Sequence, residues 1–137
     1  MWKLYALLSA LFAALTGILA KVGVKGISGN VATAVRTFVI LFVAWGIVFF
    51  GGQIKEVKDL NKTNLIFLVL SGLATGCSWI FYFKALETGN VSKVAAIDKV
   101  SIVFVMILAF AFLGEPMALK TVIGGALILG GTLFLVL

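Results

Sequence analysis

Five stretches of the chain carry no charged residue: positions 4–20, 37–52, 63–83, 100–114 and 121–137. A helix crossing the hydrocarbon core needs about 20 residues, so the second and fourth stretches fall short by roughly a turn. An apolar run of that length has no soluble core to join here, so both are extended backwards rather than discarded. The pattern then predicts five helical spans over 2–22, 31–51, 63–84, 93–113 and 117–137, with Arg36, Asp98 and Lys99 drawn below the membrane surface. The fold class is an all-α integral membrane protein in one 137-residue domain.

The residues between the runs support these limits. Thr88, Gly89 and Asn90 read as a helix stop and turn, with Ser92 placed to cap the next helix. Gly114 closes the fourth span, and Pro116 suits the first turn of the fifth, where its missing N–H costs nothing. The one substantial loop, 53–62, holds Lys55, Lys58, Lys62, Glu56 and Asp59. The first run follows Lys3 like a secretory signal, but four more spans come after it and no clear cleavage pattern appears, which predicts a retained helix.

Composition sharpens this picture. Sixty-three per cent of the residues are apolar and 12% charged, against about half and a quarter in soluble domains. The single Cys77 excludes an internal disulfide, and the absence of histidine with so few carboxylates leaves no metal-ligand cluster and no call for a cofactor. With no base beside a nucleophile, the chain is not expected to be an enzyme. Its net charge of +6 is scattered singly over apolar sequence, unlike the basic patch with stacking aromatics that nucleic acid requires.

The excess therefore bears on topology. Five spans divide the loops into one side with Lys3, Lys55, Lys58, Lys62 and Lys120 and another with Lys21, Lys25, Lys84 and Lys93. Five against four barely biases insertion, and adding Arg36 and Lys99 to the second side reverses the balance. The chain is thus free to insert either way.

Polar side chains within lipid are costly and tend to face protein or water. Ser71, Thr75, Ser78 and Tyr82 make such a stripe on the third span, with Trp79 beside it, while Gly72 and Gly76 on the neighbouring face admit a second helix closely. Asp98 and Ser101 share a face of the fourth span, Thr33, Arg36 and Thr37 of the second, and Ser9 and Thr16 of the first. The fifth has no polar stripe; its Gly124, Gly125, Gly130 and Gly131 suit close packing within the chain or against a second chain. Arg36 and Asp98 lie at similar depth from one membrane face, so an ion pair between them is expected, with Asp98 the obvious carboxylate for proton or cation coupling. Lys99 either snorkels to the interface or faces the cavity.

From Gly72 to Gly131 the chain resembles the EamA-like domain of the drug/metabolite transporter superfamily. The marks are Phe83-Lys84-Ala85-Leu86 at the end of the third span, the Gly89-Asn90-Val91-Ser92 turn, Leu113-Gly114-Glu115-Pro116 and the glycine-rich last span; Arg36 stands where that domain has an arginine early in its second span. The triplet Ile97-Asp98-Lys99 departs from longer relatives, which are usually apolar there. The resemblance implies one half of a ten-helix inverted-repeat transporter fold, as in the five-span bacterial and archaeal branch. Two copies, or this chain and a paralogous half, would form the transporter, most simply as an antiparallel homodimer in the cytoplasmic membrane.

The expected function is transport of a small polar or amphipathic metabolite by alternating access. Arg36, Thr75, Ser78, Trp79, Tyr82, Asp98, Lys99 and Ser101 line the pathway, with Arg36 and Lys99 selecting charge. Lys21 and Lys84 near the same face favour anions. The alternative is a non-transporting membrane subunit that binds and stabilises a partner protein; it would have one fixed orientation.

Overall fold

The computed structural model describes all 137 residues and is helical throughout, with no strand. The helices are α1 (Trp2–Gly23), α2 (Gly29–Phe50), α3 (Lys62–Thr88), α4 (Val91–Asp98), α5 (Ser101–Leu113) and α6 (Leu119–Val136), with a 3-10 segment, Gln53–Asp59, between α2 and α3. Counting α4 and α5 as one length, five helices are long and apolar enough to cross a membrane. Their large apolar side chains are mostly exposed, as expected where lipid, not a protein core, is the solvent.

The helix ends refine the sequence reading. Ser28 has extended backbone, and its hydroxyl accepts from Val31 N–H to open α2. Asn90, not Ser92, is the N-cap of α4: it is the extended residue (φ −71°, ψ 135°), its carbonyl takes Val94 N–H, and Ser92 already lies within the helix. Gly114 ends α5 in the left-handed region at φ 66°, where Glu115 N–H reaches back to the Ala109 carbonyl. Pro116 does not enter the last helix. Its carbonyl accepts from Ala118 N–H in a tight turn, and α6 begins only at Leu119.

The chain forms two compact units, residues 19–87 and residues 1–18 with 88–137. In the first, the end of α1, the start of α2 and the end of α3 meet around Val24, Phe83 and Leu86, all buried, with Leu86 at 0% exposure. Two polar contacts clasp this junction. Lys21 Nζ donates to the Leu86 carbonyl, which lies in the last turn of α3 and has no partner within that helix. Glu87 Oε1 accepts Gly29 N–H at the start of α2. Both place charge where the helix dipole favours it, an ammonium at a C-terminus and a carboxylate at an N-terminus. Gly29 is required by proximity: a Cβ there would sit 2.7 Å from Glu87 Oε1 and 3.0 Å from the backbone of both Phe83 and Lys84.

In the second unit α6 packs against α4 and α5. A Cβ on Gly125 would lie 3.3 Å from Met106 Sδ and 3.9 Å from Val103 Cγ2, so this glycine lets α5 and α6 close up within one chain. Nothing lies within 4 Å of the corresponding positions on Gly124, Gly130 and Gly131. Lys93 Nζ donates to the Val136 carbonyl at the end of α6, and the buried Thr132 donates its hydroxyl to the Ala96 carbonyl at 3.2 Å.

The Thr132 contact coincides with the largest departure from the expected spans. The sequence predicts one helix over 93–113, but α4 ends at Asp98 and α5 begins at Ser101. Ala96 O would bond Val100 N–H in a straight helix. Here it is shared by Lys99 N–H and Thr132, and Val100 N–H turns to Ile97 O at 2.9 Å. Ile102 and Val103 likewise bond three residues back, giving a tightened turn without proline or glycine.

Candidate functional site

Arg36 projects from the same face of α2 as Gly29, Ala32 and Thr33, the last two also buried. On α3, Trp79, Phe83 and Leu86 share a face by the same spacing. The two helices run in opposite directions, so Gly29 meets Phe83, Lys84 and Glu87 while Arg36, two turns further along, reaches Trp79. The contact that seats Gly29 thus also sets the Arg36 side chain beside the aromatic rings.

The Arg36 guanidinium carbon lies 4.2 Å from the centroid of the Trp79 ring and 5.5 Å from that of Phe83. Both are within cation–π range, and the larger indole is the better partner. Tyr82 adjoins this pair, its ring 6.3 Å from Phe83 in an edge-on arrangement, and it interacts electrostatically with Arg36. The neighbouring threonine hydroxyls donate to the backbone of their own helix. Thr33 Oγ1 donates to Gly29 O and Thr37 Oγ1 to Thr33 O, both at 2.7 Å. Within its unit the Arg36 guanidinium has the two rings beside it, and no hydrogen bond or ion pair engages its five N–H donors.

The remaining pathway candidates fall into two sets. On α3, Thr75 donates its hydroxyl to Ser71 O at 2.9 Å, and Ser71, Thr75 and Ser78 are exposed on the single chain, whereas Trp79 and Tyr82 are half-buried. Within this unit nothing lies within 4 Å of a Cβ placed on Gly72 or Gly76, the glycines expected to admit a second helix. In the other unit, Asp98, Lys99 and Ser101 bracket the tightened turn, and Lys99 Nζ lies 3.6 Å from Asp98 Oδ2 with both side chains about half exposed. Asp98 thus has a cation in its immediate neighbour within its own unit. Cys77 is exposed and unpaired with any second cysteine. No group of histidine, cysteine and carboxylate side chains could hold a metal ion.

A cavity of about 260 Å³ between α5 and α6 is lined by Val103, Met106, Met117, Gly125 and Leu129, among others. Its wall is almost wholly apolar, and of the residues singled out from sequence only Gly125 touches it. It offers nothing to a polar solute.

Several structural residues were not singled out in the sequence. Glu87, Gly29 and Thr132 carry no motif of their own; the available signals were an acid beside the Thr88-Gly89-Asn90 turn and a lone hydroxyl among the glycines of the last span.

The profile of the EamA-like transporter family matches residues 1–137. An uncharacterized transporter in the cobO 3' region of Sinorhizobium sp is 48% identical over 134 residues, covering 98% of this chain and 95% of that one. No solved structure matches. With five membrane-length helices and a match over its whole length, the chain belongs to the EamA-like transporter family and is a multi-pass membrane transporter.

Proposed function

We propose that this transporter carries small polar or amphipathic organic anions by alternating access, as an antiparallel homodimer in the cytoplasmic membrane. The observation that supports this most is Arg36: a permanent cation within a membrane span, held by rings on its faces, with its N–H edge unpaired in its unit. An unpartnered charge at such depth is costly, and a carboxylate or phosphate accepting two parallel N–H bonds would relieve that cost on binding. Trp79 and Tyr82 add apolar surface with a polar edge, which suits an amphipathic solute. The exposed stripe of Ser71, Thr75 and Ser78 supports a second copy, since polar groups facing lipid are unfavourable. Asp98 and Lys99, at the tightened turn, are the charged pair available for coupling.

Two measurements test the proposal. In proteoliposomes containing only this chain, labelled organic anions should accumulate faster than organic cations of similar size; movement of cations alone would overturn the anion assignment. For the assembly, Cys77→Ser with a single cysteine at Lys58 is labelled in intact cells by a membrane-impermeant thiol reagent. Labelling of about half the molecules before permeabilisation is expected from near-balanced loops. Labelling only after permeabilisation would show one fixed orientation and remove the antiparallel homodimer.

A further inference from the structure

The link between α2 and α3 has a pattern that neither packing nor the Arg36 site uses. The chain leaves α2 through Phe49 and Phe50, whose rings meet edge-on with centroids 5.6 Å apart and which are 68% and 89% exposed. It then turns at Gly51 and Gly52, the latter at φ 72°, a left-handed conformation suited to glycine. Seven residues of 3-10 helix follow, Gln53–Asp59, packed beside α2. Runs of this kind beyond three or four residues are uncommon.

A 3-10 helix has three residues per turn, so residues three apart stand in line. Ile54 and Val57 form one line, which Leu60 continues just beyond the helix; Lys55 and Lys58 form the second, and Glu56 and Asp59 the third. An α-helix would rotate each such row by about 60° at every step. The observed geometry keeps the apolar row straight, as contact with a flat surface requires. Ile54, Val57 and Leu60 remain 45%, 39% and 42% exposed beside α2, so the row is open.

We infer that this segment is a strap lying along the bilayer surface. Ile54, Val57 and Leu60 enter the boundary between headgroups and acyl chains, Lys55 and Lys58 meet lipid phosphates on one flank, and Glu56 and Asp59 stay in water on the other. The occupant of the apolar row is the lipid of the protein's own membrane because the strap joins two membrane spans closely: α2 ends at Phe50, two glycines before it, and α3 begins at Lys62, two residues after Leu60. Phe50 precedes the strap, and Leu65 and Ile66, about half exposed, are the first apolar residues of α3 after it. At about 2.0 Å per residue the 3-10 segment spans only about 14 Å, which holds it near the interface. Separating the two ammonium groups from the two carboxylates lets the first approach anionic phosphate while the second avoid it.

The test is a nitroxide scan. In the Cys77→Ser background, single cysteines at 54 through 60 are spin-labelled one at a time and reconstituted into vesicles of mixed phosphatidylcholine and phosphatidylglycerol. Collision rates with oxygen, which concentrates in lipid, and with a water-soluble nickel chelate are then compared. The oxygen-to-nickel ratio should peak at 54, 57 and 60, several-fold above 55, 56, 58 and 59. Insertion in both orientations leaves this result unchanged when the chelate is loaded on both sides of the vesicle membrane, which oxygen crosses freely. A flat profile, or high nickel contact at 54 and 57, would place the strap in water and overturn the inference. Low contact with both reagents at 54 and 57 would mean protein covers the row, and would overturn it equally.

Discussion

Arg36→Ala should reduce anion uptake by the reconstituted chain about tenfold to a hundredfold, the range expected for losing one or two hydrogen bonds to a charged group. The effect should appear chiefly as weaker half-saturation if the guanidinium acts in binding. Arg36→Lys separates the two features of the site. Lysine keeps the positive charge but has no planar fork and stacks less well on Trp79, so it should recover part of the uptake and leave a deficit of about tenfold. Trp79→Leu is the complementary change, retaining the guanidinium while removing the indole 4.2 Å from it. If Arg36→Ala transports anions as the unaltered protein does, with the same orientation in the membrane, the site assignment fails.

Gly29→Val should destabilise the protein more than any other single addition of side-chain volume at the α1–α2–α3 junction. Its Cβ alone would meet Glu87 Oε1 at 2.7 Å and the Phe83 and Lys84 backbones at 3.0 Å. Glu87 is the end of a movable side chain and can yield; the α3 backbone can yield only if the helices separate. Overpacking costs about 1–3 kcal/mol. Displacing Glu87 also breaks its charge-assisted bond to Gly29 N–H, worth about 1.5–3 kcal/mol. The midpoint of heat-induced aggregation in detergent should fall by roughly 5 °C or more. Gly29→Ala should give a smaller fall and Glu87→Gln a smaller one still, because an amide oxygen can accept the same N–H. Melting of Gly29→Val together with the unaltered protein would mean that α2 and α3 do not approach this closely in the membrane.

These two predictions are linked through the spacing of α2. Arg36 lies two turns from Gly29 on one face, so a substitution that separates the helix starts also moves the guanidinium away from Trp79. Gly29→Ala should therefore weaken anion uptake even where the protein remains folded, whereas Glu87→Gln should not.

Residue types along the chain were enough for five membrane-length helices, for Arg36, Asp98 and Lys99 as charges within them, and for membership of the transporter family. Lipid makes that legible: a helix surrounded by hydrocarbon is selected by its own length and composition, and each backbone bond is made four residues away. The clasp and the turn are different. Lys21 reaches Leu86 across 65 positions, Glu87 reaches Gly29 across 58, and Thr132 reaches Ala96 across 36. No local pattern signals those pairings, since a lysine, a glutamate or a threonine near a helix end is equally at home in water or beside a lipid headgroup. Only the meeting of helices made Gly29 indispensable, broke the fourth span where Thr132 takes a share of the Ala96 carbonyl, and laid the Arg36 guanidinium against Trp79.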